Sequence, residues 1–210
     1  MKNKSLTVIV ACLIFTVSSQ AQPTPFTNSS AFFSAITASN YTETFDSIPD
    51  GGFGFASPTN FAGNGFSFTA ETGAGNFLGI NTPPDQWLST FDVTFIRFTN
   101  FSLNTTAIGG NFFATQFNES YTNTSVSVTA TFADATSFTT NYLPAGPTTF
   151  FGLTYNTNIT SLTISNVAPA AEFMTANNLT VGVVPEPSTY ALLGLAAAGL
   201  AGYVIRRRRA

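Results

Sequence analysis

The side chains between residues 22 and 184 that could carry chemistry are mainly carboxylates. This segment contains one arginine, Arg97, and no lysine, histidine or cysteine. Their absence excludes a Ser-His-Asp triad, a thiol nucleophile, a zinc site with the usual ligands and a P-loop. Carboxylates could still hydrolyse a glycosidic bond as an acid and nucleophile pair, or bind a hard cation through oxygen ligands. The nine carboxylates are Glu43, Asp46, Asp50, Glu71, Asp85, Asp92, Glu119, Asp134 and Glu172, of which the last five could supply the catalytic pair.

The composition favours a binding or structural protein over an enzyme. The 210-residue chain has only 8% charged residues, well below the usual ~25%. An apolar content of 44% with 23 phenylalanines argues against disorder, and a net charge of −3 argues against nucleic acid as a partner. No local signature selects two carboxylates as a catalytic pair. We therefore expect no enzymatic activity and keep a weak glycosidase as the alternative.

Trp87 is the single tryptophan and a candidate for stacking on a ligand. It follows Pro83-Pro84-Asp85-Gln86, a polar stretch with turn-forming residues. A tryptophan in such a loop can present its ring to a sugar, and the same ring can also pack onto the loop itself. Both interpretations stay open at the level of sequence. The phenylalanines, in contrast, are expected to fill the core.

Residues 1–21 have the three parts of a secretory signal peptide. Lys2 and Lys4 form a positive start, Leu6–Val17 is an almost continuous apolar run, and small residues lead up to Ala21. We expect cleavage after Ala21. The segment therefore predicts the Sec translocon and signal peptidase as partners.

Residues 184–210 combine a proline-rich motif, a short apolar run and a basic end. The motif is Val184-Pro185-Glu186-Pro187-Ser188, and Tyr190–Ile205 supplies 16 mostly apolar residues. A helix of that length spans about 24 Å, and it is shorter than the ~20 residues of a typical membrane span. We expect a single, weakly hydrophobic transmembrane helix. The helix is followed by a basic block that consists of Arg206, Arg207, Arg208 and Arg209. Such a block would remain on the cytoplasmic side, so the domain that precedes the helix would lie outside the cytoplasm.

The order of these parts resembles the PEP-CTERM sorting signal of Gram-negative bacteria. The matching parts are V-P-E-P-S, a helix rich in Gly, Ala and Leu, and the arginine block. The resemblance covers residues 184–210 and implies processing by an exosortase, a membrane transpeptidase of the cysteine type. It also implies a precursor anchored in the inner membrane through its C-terminal helix. The mature protein would lie at the cell surface or in an exopolysaccharide and biofilm matrix.

Alternating polar and apolar residues predict an all-β domain over residues 22–183. Ser125–Phe132 alternates with period two, which predicts an inward face and an outer hydroxyl row. We interpret that row as solvated surface rather than as an ice-binding plane. Nine or so short strands between turn clusters favour an antiparallel two-sheet β-sandwich of the jelly-roll kind. The other strand candidates are Gly65–Ala70, Asn76–Ile80, Val93–Phe101, Ala107–Thr115, Ser137–Tyr142, Thr148–Tyr155, Ser161–Ser165 and Asn178–Val183.

One short helix is predicted near the start of this domain. It covers Ser29–Thr37, and Asn28 is placed to cap its first turn. The spacing of its apolar residues predicts one buried side. That side consists of Ala31, Phe32, Ala35 and Ile36.

Two stretches of the domain resemble the ectodomains of PEP-CTERM proteins, which look like carbohydrate-binding jelly rolls. Tyr41–Asp46 is similar to their opening E-T-F-E/D strand, and Asn178–Gly182 to their closing D-N-v-t-v-G strand. The resemblance implies a Ca²⁺ site between the first and last strands, with four ligands. In this chain Asn177 stands where the closing aspartate would be. Glu43 alternates with Phe45, and the alternatives to calcium are that its carboxylate is solvated near a strand end or pairs with Arg97. The implied ligands are Glu43, Asp46, Asn177 and Asn178.

These observations predict an exported, non-catalytic module associated with extracellular polysaccharide. The first alternative is a passive structural or adhesive matrix protein with no specific ligand.

Overall fold

The computed structural model describes residues 22–48, 55–73, 75–80, 85–91, 95–102, 104–167 and 172–185, together with Gly199. In these residues, two antiparallel sheets and one short helix form the domain. This architecture confirms the all-β, two-sheet prediction.

The larger sheet has nine strands in the order β1-β13-β9-β15-β7-β6-β3, with β10 beside β9 and β2 beside β15. The smaller sheet has six strands in the order β12-β11-β14-β8-β5-β4. In chain order the elements are β1 (Thr24–Phe26), α1 (Ser29–Ala35), β2 (Asn40–Glu43), β3 (Phe55–Ala56), β4 (Thr59–Gly63), β5 (Phe66–Thr72), β6 (Asn76–Ile80), β7 (Trp87–Thr90), β8 (Phe95–Thr99), β9 (Ala107–Thr115), β10 (Tyr121–Thr122), β11 (Val126–Phe132), β12 (Ser137–Tyr142), β13 (Phe150–Thr154), β14 (Ile159–Asn166) and β15 (Phe173–Gly182).

The core lies between the two sheets and is dominated by phenylalanine and branched aliphatic side chains. Strand β11 shows how the sequence pattern builds it, because its alternate residues point to opposite faces. The residues predicted to face inward are all buried. The hydroxyl groups of the outer face bond to neighbouring strands: Thr129 Oγ1 lies 3.1 Å from Thr139 Oγ1, and Thr131 Oγ1 lies 2.6 Å from Ser161 Oγ. The buried face of β11 consists of Val126, Val128, Ala130 and Phe132.

Helix α1 packs on the outer face of the larger sheet. Its N-cap is Asn28, as predicted, since Asn28 Oδ1 accepts a hydrogen bond from Ala31 N at 3.0 Å. Phe32 and Ile36 are buried against Ala107. The helix ends at Ala35 rather than Thr37, because Ile36 has an extended backbone, and Ala31 is exposed rather than buried.

Strand β15 organises the larger sheet. Strand β9 runs along one of its sides, whereas β7 and then β2 occupy the other. Phe173 of β15 pairs with Thr115 of β9, and Gly182 pairs with Ala107. At ~3.4 Å per residue, the two ends of β9 lie about 27 Å apart. They define two poles of the domain, called here the Thr115 pole and the Ala107 pole.

Among the described residues, no helix is both long and apolar enough to cross a membrane. The predicted transmembrane helix, Tyr190–Ile205, lies outside those residues apart from Gly199. Residues 1–21 and the arginine block also lie outside them.

Candidate functional site

A groove of about 330 Å³ opens at the Thr115 pole. Ser89 and Thr115, which are both buried, contribute hydroxyl groups to its floor. Phe117 and Phe91 lie at its mouth and remain 88% and 45% exposed. Two exposed aromatic rings beside a concave surface with a few polar groups are typical of ligand sites, so this combination marks a candidate binding site.

The hydroxyl groups of the floor are fixed by one another. Thr175 Oγ1 lies 3.0 Å from Ser89 Oγ and 2.9 Å from Thr115 Oγ1, which links strands β7, β15 and β9 in one row. Thr90 Oγ1 accepts a hydrogen bond from Met174 N at 3.1 Å in the same region. The hydroxyl row is therefore held by three central strands, and its two ends, Ser89 and Thr115, lie at the bottom of the groove.

A tight turn presents Phe117. The backbone bonds Gln116 N to Ser120 O (2.9 Å) and Glu119 N to Gln116 O (2.9 Å) close the loop between β9 and β10. Asn118 Oδ1 accepts hydrogen bonds from Ser120 N at 3.2 Å and from Ser120 Oγ at 2.6 Å. The Phe117 ring also lies 6.4 Å from the Phe173 ring. These contacts hold the exposed ring at the edge of the groove.

Three of the four implied calcium ligands lie around an irregular point in β15. The register between β15 and β9 shifts between Asn177 and Thr180, and Asn178 there has a left-handed φ of 51°. Asn177 Nδ2 donates to Asp85 Oδ1 (2.9 Å), and Asn178 Nδ2 donates to Asn111 Oδ1 (3.0 Å).

Asp46 joins this network through the backbone. Asp46 Oδ1 accepts from Gln86 N at 3.1 Å, and Gln86 follows Asp85 directly. The predicted residues thus bond to Asp85, Gln86 and Asn111, which the calcium hypothesis did not include.

Glu43 makes its hydrogen bonds within its own segment. Its Oε1 accepts from Phe45 N at 2.9 Å, and its Oε2 accepts from the Tyr41 hydroxyl. Burial, together with the hydrogen bond to Glu43, raises the pKa of Tyr41 above its ordinary value, so this hydroxyl stays a donor. Arg97 does not pair with Glu43; its Nε contacts Glu71 Oε1 at 2.5 Å on the outer face of the smaller sheet. Among the described residues, no three acidic, histidine or cysteine side chains form a metal-binding group.

Trp87 is the first residue of β7 rather than part of a loop. Its ring packs edge-to-face on Phe113, with centroids 4.9 Å apart and an interplanar angle of 89°. The side chain is half-buried. The geometry favours packing for Trp87, and ligand stacking by its ring stays a prediction.

Of the predicted sorting motif, Val184 and Pro185 lie within the described residues, whereas Glu186, Pro187 and Ser188 lie outside them. Val184 packs beside the buried cluster of α1. The all-β domain therefore continues without a break into the proline-rich segment. The protein belongs to the class in which a folded domain is followed directly by a sorting segment.

Comparison with protein-family models identifies that segment. The model of the PEP-CTERM protein-sorting motif matches residues 183–209. The chain therefore carries this motif, as its sequence predicted, and the motif indicates an exported, membrane-processed protein that an exosortase sorts. A search of curated proteins found no match. The jelly-roll resemblance of the domain stays a prediction.

The groove was not predicted from the sequence. The phenylalanines were expected to fill the core, and Phe117 was not distinguished from the rest. The available signal was local, because Phe117 lies in Gln116–Ser120, where all the other residues are polar. A single aromatic residue in such a turn is a candidate for an exposed contact.

Proposed function

We propose that the exported domain is a non-catalytic module that binds uncharged polysaccharide in the groove at the Thr115 pole, at the cell surface or in the extracellular matrix. The observation that carries this proposal is the exposed Phe117 ring beside a floor of fixed hydroxyl groups. Sugars present apolar C–H faces and hydroxyl groups together, which match an aromatic wall and polar atoms respectively.

The charge distribution supports an uncharged glycan. Residues 22–184 contain nine carboxylates and one arginine, a formal net charge of −8. That arginine, Arg97, is already paired with Glu71. A polymer of uronate or sulfated sugars would be repelled by this field, and no described cationic side chain lines the groove.

The same groove argues against hydrolysis. Glycosidases of the common types use two carboxyl groups separated by about 5–9.5 Å on either side of the bond. Glu119 is the one carboxylate among the described residues that line the groove. We therefore infer binding without catalysis.

Affinity electrophoresis of the full chain in mild detergent tests this function. Neutral polysaccharides embedded in the gel should retard the wild type, and Phe117→Ala should weaken binding about tenfold, or roughly 1.4 kcal/mol. Phe33→Ala is the matched control, because Phe33 is also an exposed phenylalanine but lies on α1.

Equal retardation of wild type and Phe117→Ala would rule out the groove as the site. If no neutral polysaccharide retards the wild type, the passive structural or adhesive alternative replaces binding. Stronger retardation by acidic polymers would overturn the preference for uncharged glycans.

A further inference from the structure

The first residues of the sorting motif belong to the folded domain. Thr37 N donates to Val183 O at 2.8 Å, and Val184 N donates to Thr106 Oγ1 at 2.8 Å. The Val184 side chain packs against the cluster that contains Phe32. Pro185 therefore follows a residue that is fixed by both backbone and side chain, with no linker between the fold and the motif.

A cleft of about 560 Å³ lies at this junction, at the Ala107 pole. Gln22 and Pro185 both line it, so the two ends of the domain meet there. Its other lining includes three asparagines and no charged side chain among the described residues. The asparagines are Asn104, Asn156 and Asn158.

We propose that this cleft is the surface on which the exosortase docks, so that the folded domain forms part of the enzyme's substrate. Ser188, the last residue of V-P-E-P-S, is four residues beyond Val184 and can lie at most about 14 Å from it. That reach is little more than the 10–12 Å diameter of one α-helix. An enzyme that binds the motif would therefore lie against the domain beside Pro185, and Pro185 lines the cleft.

The chemistry of the cleft defines the partner surface. Asparagine side chains offer both donors and acceptors without charge. They fit an uncharged loop of the enzyme outside the membrane that uses its backbone N–H and C=O groups. The docking surface is distinct from the groove at the Thr115 pole, so this inference does not depend on glycan binding.

Processing of the full chain in cells that contain its exosortase tests the proposal. Asn156 is exposed in the cleft, and Asn156→Arg would place a bulky charge there. We expect its precursor to be processed about tenfold more slowly than wild type, a ratio that corresponds to about 1.4 kcal/mol. Asn141→Arg is the control, because Asn141 is exposed on β12 of the other sheet. Equal processing of Asn156→Arg and the control would overturn the proposal.

An inserted spacer distinguishes an enzyme that binds the cleft from one that is only close to it. Insertion of about six Gly and Ser residues between Val184 and Pro185 would let the motif move away from the cleft. If the enzyme binds cleft and motif together, the spacer slows processing. Unchanged or faster processing would show that the domain is only an obstacle to the enzyme, and it would refute the docking surface. Protease resistance of each precursor checks that the domain is folded.

Discussion

At the scale of single residues, hydrogen bonding decides how the acidic and amide side chains act. Both Glu43 oxygens accept from donors of the same segment, Tyr41 and Phe45. Asn177 and Asn178 donate to Asp85 and Asn111. A hard cation would have to displace several of these bonds before it gained oxygen ligands. The network is therefore suited to hold the β15 irregularity in place without a metal.

Calcium should then have little effect on stability. We expect the melting temperature of the protein in Ca²⁺ and in EDTA to agree within about 1 °C, since the hydrogen bonds that Ca²⁺ would have to displace offset the binding free energy it could add to the folded state. Thermal unfolding followed by circular dichroism provides the measurement. A rise of several degrees in Ca²⁺, lost in Glu43→Gln, would contradict this expectation and restore the ligand set implied by the sequence.

At the scale of elements, the seating of α1 on the larger sheet depends on glycine. A Cβ atom at Gly152 of β13 would lie 2.7 Å from Phe32 Cδ2 and 2.8 Å from Phe150 Cε1. Both contacts are well inside van der Waals distance, so the helix approaches the sheet more closely than any larger residue would allow.

Gly152→Ala should therefore destabilise the domain by about 1–3 kcal/mol through overpacking. Urea unfolding monitored by the fluorescence of Trp87, the single tryptophan, would report the loss as a lower midpoint. Gly146→Ala serves as the control, because a Cβ there meets no heavy atom of the described residues within 4 Å. Equal midpoints for the two variants would show that α1 is not seated as described.

The strands show how far sequence patterns reach. Ala107–Thr115 and Ser137–Tyr142 were predicted with the bounds they have, because polar and turn-forming residues flank both strands. Strand β15 begins at Phe173, five residues before the predicted Asn178. By residue type, the pair Asn177-Asn178 favours a turn. In the sheet, however, the pair lies where the register between β15 and β9 shifts, and the Asn111 side chain of β9 bonds to Asn178 there.

The candidate groove could not be predicted from local sequence patterns, because residues far apart in sequence form it. Its floor joins Ser89, Thr115 and Thr175, which come from three strands far apart in sequence. Their proximity follows from strand order, and no periodicity specifies that order. The sorting motif, in contrast, is a continuous segment, so its sequence was sufficient to identify it.

At the scale of the whole molecule, the two proposed surfaces lie at opposite ends of β9. The sorting junction is at the Ala107 pole, and the groove is at the Thr115 pole, about 27 Å away by strand length. A precursor held through its C-terminal segment would keep the first pole near the membrane. The second pole would then face outward, where polysaccharide is accessible before and after processing.

Cysteine labelling of the precursor tests this orientation, because the sequence has a single cysteine, Cys12, within the predicted signal peptide. In spheroplasts, Phe117→Cys should react with a bulky maleimide several-fold faster than Asn156→Cys, since the membrane and the docked enzyme would shield the Ala107 pole. After processing releases the domain, the two rates should converge, because both parent side chains are solvent-exposed. Equal rates in the precursor would contradict an arrangement in which one pole faces the membrane and the other the matrix.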